Sequence, residues 1–170
     1  MSLNVLTKLG DDALANLFNL NFAQPPGVTK AMDTALRVTT VTIPDILIGT
    51  YEVHYKTQKM TKKSGKIETA NEFPFTFRVD KNWEIYEGLR EWSRLLGDPD
   101  TGIMTPDFEA GIAPLRVPVS VVPVDAEDNI TGAGWVFEGC FISGLTGITF
   151  DVTSGEPLEV TGTLQFIKMI

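Results

Sequence analysis

His54 and Cys140 are the side chains whose chemistry would be most conspicuous, because the chain holds one residue of each type. A Ser-His-Asp arrangement would have to use His54, and no Gly-x-Ser-x-Gly elbow is present to hold a nucleophile. His54 stands among Tyr51, Glu52, Tyr55 and several lysines, where a solvated or packing role is the commoner one. Cys140 has no second cysteine for a disulfide or a zinc site, and it reads as a small buried apolar residue. Strict alternation puts it with Val136, Glu138 and Ile142, opposite Trp135 and Phe137. The acids Asp98-x-Asp100 and Asp125-x-Glu127-Asp128 lack the longer ladder of oxygens, closed by a glutamate, that a calcium loop needs. Asp125 to Gly132 reads instead as a hairpin turn, where Asp, Asn and Gly serve the backbone. With phosphate-binding glycine motifs also absent, these residues predict no catalytic centre, metal or cofactor.

One run departs from this plainness. Lys56, Lys59, Lys62, Lys63 and Lys66 are five of the nine lysines, and no acid interrupts them. They leave nine bases against twenty-two acids elsewhere, so a −13 body carries a +5 tongue. Two readings stand side by side. The tongue docks by charge onto an acidic patch of another copy or another protein. Or it is a solvated hairpin tip over Tyr55–Glu68, turning at Ser64-Gly65, with lysines guarding the edge against stray pairing. Nucleic-acid binding through it is weaker: its aromatics, Tyr51 and Tyr55, lie outside the basic run, and the surrounding field is negative.

The elements that must position these residues are mostly strands. The chain has 170 residues, 43% hydrophobic and 21% charged, enough for one domain with its own core. Its net charge of −8 argues against gripping nucleic acid over the general surface. Met1–Gly10 shows one base, Lys8, and no apolar run suited to an export signal. The apolar stretches near 115–124 and 135–142 fall well short of the roughly 20 residues of a membrane helix, so no membrane partner is expected.

Alternation predicts strands at Phe18–Phe22, Leu36–Ile43, Glu72–Asp80, Leu115–Pro123, Trp135–Ile142, Gly147–Val152 and Leu158–Ile170. Phe73, Phe75, Phe77 and Val79 form the clearest face, and Pro74 places that strand at an edge or delays its pairing. Gly162 interrupts the last apolar face and predicts a bend or bulge. One helix is expected after Asp80 or Asn82 as cap, with Ile85, Leu89, Trp92 and Leu96 inward and Gly97 as a left-handed stop. Glu87–Arg90 and Glu91–Arg94 are opposite charges three residues apart on its outer side. Residues 3–17 form a weaker second helix, and Gly97–Pro114 is the longest loop. The fold class is mainly β: an antiparallel barrel or sandwich with one flanking α-helix, a single domain over 1–170 with an arm at 1–16 and the basic tongue at 55–68.

The order of elements resembles the tail tube proteins of contractile-tailed bacteriophages. The likeness is carried by the arm leading to Ala15–Phe22, a strand ending Thr42-Ile43-Pro44, and a long hairpin. Phe75–Asp80 then feeds a helix with Trp92, and the alternating close runs over Leu158–Phe166. The resemblance implies a structural subunit and no enzyme: six copies form a ring, and rings stack into a hollow tube within a sheath and on a baseplate. Duplex DNA would pass down the channel without specific binding. The protein would be assembled in the host cytoplasm and carried in the virion. The five lysines would then contact a neighbouring subunit. The type VI secretion tube is similar in architecture. The loop 97–114 and the lysine-rich tongue depart from the family pattern and leave open a baseplate protein that initiates the tube. A different class also stands, a small-ligand-binding β-barrel with Trp135, Phe137 and Phe141 lining its pocket, with an enzyme using His54 a distant third.

Overall fold

A computed structural model of the chain describes residues 16–32, 37–106 and 115–170. Residues 3–15 of the expected helix over 3–17, all but the last residue of the arm at 1–16, and much of the loop 97–114 lie outside them. The strands are β1 (Phe18–Phe22), β2 (Val38–Val41), β3 (Ile46–Tyr55), β4 (Gln58–Thr69) and β5 (Glu72–Arg78). After the helix α1 (Glu84–Leu96) come β6 (Val117–Pro123), β7 (Trp135–Leu145), β8 (Glu159–Gln165) and the short β9 (Lys168–Met169). The main sheet runs β1-β6-β7-β8-β5-β2, all antiparallel, with β9 added beside β7. Among the described residues β3 and β4 pair only with each other.

The main sheet curls because β7 serves two ladders. Its first half pairs with β6 and β9, and its second half pairs with β8. Gly139, at φ +68, sits at the change-over, where the β6–β7 register slips. A β-carbon there would also lie 2.6 Å from Ile167 Cδ1. The Arg116 guanidinium donates to the Gly139 carbonyl at 3.0 Å and lies 4.5 Å over the Phe141 ring, fastening the bulge. The curl brings β1, at one end of the strand order, against β5 near the other, with the Phe22 and Phe75 rings 5.4 Å apart. β1 and β2 then flank a shared cleft of about 370 Å³, so among the described residues the barrel stays open along that seam.

The core follows from period-2 patterning. Phe73, Phe75 and Phe77 of β5 face Val160 and Leu164 of β8, Val117, Val119 and Val121 of β6, and Phe137 of β7, all buried. Phe73 stacks on Phe137 at 4.3 Å. Burying each such side chain contributes on the order of 1.5–3 kcal/mol against leaving it exposed. β5 is not an edge strand: it pairs with β8 along its whole length, Pro74 included. The Pro74 carbonyl accepts Thr42 N–H, so its missing donor faces β2, whose ladder ends at Val41. Gly162 makes no bulge either. It pairs regularly with Phe75, and its lack of a side chain makes room for that ring.

The helix buries Ile85, Leu89 and Trp92, as its spacing predicts, while Leu96 packs partly buried against the core. Trp92 is fully buried, and its indole N–H donates to the Leu115 carbonyl at 2.9 Å. Asp80 serves the helix start from a distance, its Oδ2 accepting the N–H groups of Asn82 and Glu84. Gly97 is extended, at φ −152, and not left-handed. The helix ends because the loop returns: Thr105 donates its N–H to Leu96 and its hydroxyl to Leu95, and a β-carbon at Gly97 would strike Met104. Glu87 pairs with Arg90 at 3.4 Å, whereas Glu91 accepts the Thr29 N–H and hydroxyl. Gly147–Val152 is not a strand. The chain runs irregularly there between β7 and β8.

Candidate functional site

The lysine run lies in a two-stranded ribbon that is longer than the tongue expected at 55–68. β3 and β4 pair from Ile46↔Thr69 at the root to Tyr55↔Gln58 at the tip. The turn is Lys56-Thr57, with Lys56 at φ +55, and not Ser64-Gly65. Ser64 to Lys66 form an irregularity opposite Gly49, with Ser64 Oγ accepting Lys66 N–H at 3.3 Å. This register sets Val53 against Met60 and Ile48 against Ile67, apolar on apolar, which the Ser-Gly turn would forfeit.

The pairing gives the outer ribbon two unlike faces, because side chains alternate along a strand. Tyr51, Val53, Tyr55, Met60 and Lys62 share one face. Thr50, Glu52, His54, Lys59, Thr61 and Lys63 share the other. Lys56 lies in the turn, and Lys66 in the irregularity nearer the root. Lys59 forms an ion pair with Glu52, both half exposed, a contact worth about 0–1 kcal/mol. Counting Glu52 and Glu68 against the five lysines, the ribbon carries +3, a smaller charge than the lysine run alone.

The apolar content of the ribbon is uncovered. Ile46, Leu47, Ile48 and Ile67 at the root, with Tyr51, Tyr55 and Met60 further out, are all more than half exposed or close to it. Its root borders a cleft of about 420 Å³ shared with Phe166, Ile167 and Met169. Concentrated exposed apolar side chains on one projecting element mark an interaction surface, not a folding core.

Of the other candidate residues, His54 shares the ribbon and the rest lie in the body. His54 is exposed on the lysine face of the ribbon. Cys140 is fully buried, and burial pushes its thiol up to about 12. The bulge at Gly139 turns it to the same side as Phe137, whose carbonyl lies 3.3 Å from its sulfur, so strict alternation fails there. The same bulge puts Phe141 out of phase with Phe137, and Trp135, Phe137 and Phe141 have unlike surroundings. Phe137 is packed solid in the core, Trp135 is 37% exposed, and Phe141 lies beneath Arg116. Asp125 does make a turn: it accepts the backbone N–H and side-chain amide of Asn129 and then the N–H of Glu127, bonds that hold its carboxyl below the usual range. Among the described residues no three His, Cys, Asp or Glu side chains gather as metal ligands. No helix there is long and apolar enough to cross a membrane.

No protein-family model matches the sequence, and no curated protein sequence does. Solved structures do. The whole of this chain is similar to 97% of a chain in the sheath–tube complex of an extracellular contractile injection system, PVC, in the extended state, with TM-score 0.64 and 15% identity. A chain of the anti-feeding prophage tube-terminating cap matches with TM-score 0.64 and 13% identity, over 95% of this chain and 91% of that one. A chain of the anti-feeding prophage baseplate matches with TM-score 0.57 and 10% identity, over 95% of each. At these identities the likeness is one of fold. The mainly antiparallel β fold, with one helix among the described residues, is the tail-tube-like fold found in contractile injection systems, as the resemblance to phage tail tube proteins implies.

Proposed function

We propose that the protein is a structural subunit of a contractile, phage-type injection machine: six copies close into a ring, and rings stack into a tube. The observation that carries this reading is the ribbon Ile46–Thr69, an amphipathic, lysine-bearing element that leaves its apolar side chains uncovered on a body with the tube-type fold. Two further features support it. Among the described residues β2 pairs on one side only, with β5, which suits pairing of its other side with a strand of another copy. The acid-rich body suits a channel that duplex DNA traverses without being held, because phosphates are repelled where Lys and Arg are scarce. Lys56, Lys59, Lys62, Lys63 and Lys66 are then contacts to a neighbouring subunit, with sheath and baseplate proteins as further partners in the assembled particle.

Negative-stain electron microscopy tests the proposal. The purified chain should form hollow rods, whereas a chain in which Tyr51–Lys62 is replaced by an Asn-Gly turn should stay monomeric and folded. Rods of normal length from the shortened chain would refute it. A second reading, a protein at the end of the tube, is favoured by the equal TM-score to the cap chain. It predicts single or paired rings that never lengthen with concentration.

A further inference from the structure

We propose that the groove between the start of α1 and the connection from β7 to β8 receives the lysine ribbon of a second copy of this chain. The assignment rests on the ribbon being the assembly element, and it names the surface the ribbon meets. The groove encloses about 500 Å³, and Trp83, Phe150, Asp80, Asp151 and Glu156 line it, with Lys81 as its one base. Phe150 is 75% exposed, a large aromatic ring that its own chain leaves open. Its ring lies 6.0 Å from that of Trp83, which is held at φ +61 and packed edge-on against Tyr86 at 5.7 Å. Glu159, which also lines it, pairs with Arg78 at 3.4 Å, while Asp80, Asp151 and Glu156 form no ion pair among the described residues. Asp151 accepts the N–H and hydroxyl of Thr153, which keep its carboxyl below the usual range and therefore charged. Asp80 uses Oδ2 at the helix start, while its Oδ1 is shut away from solvent with no hydrogen-bond partner among the described residues.

An aromatic wall beside carboxylates recognises an ammonium group carried on an apolar stem, through cation–π and charge attraction together. The ribbon face bearing Tyr51, Val53, Tyr55, Met60 and Lys62 has that composition, and Lys62 has no ion pair among the described residues. At about 3.3 Å per residue, the ten residues of β3 span roughly 33 Å, enough to cross to a neighbour. The opposite charges of ribbon and body make a second copy the fitting occupant.

Cysteine pairing tests this directly, since the native Cys140 is buried and does not compete. The Lys62→Cys chain is mixed with a Ser154→Cys chain, which places a thiol in the groove, and separately with a Thr101→Cys chain, exposed beyond the far end of α1. Under mild oxidation the expected result is an inter-copy disulfide to position 154 at least about tenfold over position 101, lost when Phe150→Ala and Glu156→Lys are added. Equal yields, or none at position 154, overturn the proposal. If the shortened ribbon abolishes rods but no selective disulfide forms, the groove assignment fails and the ribbon's role stands. If the shortened chain still makes rods, the ribbon's role in assembly is what fails.

Discussion

Gly162 and Phe75 face each other across the β5–β8 ladder, and the Phe75 ring fills the space of the missing side chain: a β-carbon on Gly162 would lie 2.6 Å from Phe75 Cζ. Gly162→Ala therefore overpacks the core and should cost about 1–3 kcal/mol in urea unfolding. Combining it with Phe75→Leu should cost less than the two separate losses added together, because the shorter side chain vacates the contested space. Strict additivity would show that the two positions do not compete.

Trp92 ties the helix to the segment entering β6. Trp92→Phe keeps most of the apolar volume but leaves the Leu115 carbonyl without the indole N–H. A loss of about 1–3 kcal/mol is expected, with the far-ultraviolet circular dichroism unchanged. A loss below about 0.5 kcal/mol would mean that the hydrogen bond contributes little.

Cys140 makes stability depend on alkaline pH. Burial raises its thiol to about 12 from the ordinary value of 9.0, against a smaller lowering by the Val119 backbone and the Arg116 charge. The unfolded chain releases this proton first, so the contribution is complete below about 9 and is lost as pH rises toward 12. Subtracting the profile of Cys140→Val should remove that decline. At pH 8 the native thiol should resist a disulfide-exchange reagent and react once the chain is denatured.

Reversing charge on the ribbon should separate folding from association. Lys62→Glu with Lys63→Glu changes exposed side chains, so unfolding free energy should move by no more than about 0.5 kcal/mol. Sedimentation should nevertheless show the assembled fraction collapsing. Salt near 0.5 M should weaken assembly of the unaltered chain in the same direction, by screening. Undiminished polymer in both experiments would leave the lysines without a role in association.

The parts of the fold legible from sequence are those where alternation runs uninterrupted. Phe73, Phe75 and Phe77, then Val117, Val119 and Val121, all turn inward as their period requires, and Ile85, Leu89 and Trp92 define the helix. Most misplacements involve backbone features whose cause is a side chain or strand elsewhere in the fold. Gly139 shifts the phase of β7 where that strand passes from β6 to β8, so Cys140 joins Phe137 and Phe141 leaves it. Gly97 and Gly162 are small because Met104 and Phe75 occupy their space, which a local propensity for turns or bulges does not reveal. In the ribbon, the charge run marks the right segment. Its turn escapes notice because Lys56-Thr57 lacks glycine and the register is chosen by apolar pairs on both flanks. The groove at Trp83 and Phe150 has no periodic signal, since it forms between a helix start and an irregular connection.

The separate pairing of β3 with β4 has a consequence for the order in which the protein takes shape during synthesis. The ribbon needs only residues 46–69, and hairpins of this kind close in about 1–10 μs. Leu20, by contrast, must wait for Val121, and Phe73 for Leu164, so the barrel cannot close until nearly the whole chain has left the ribosome. At about 5–20 residues per second, the finished ribbon spends seconds in a crowded cell beside an unfinished body. Lysines on a ribbon with uncovered apolar side chains disfavour strand addition by other chains during that interval.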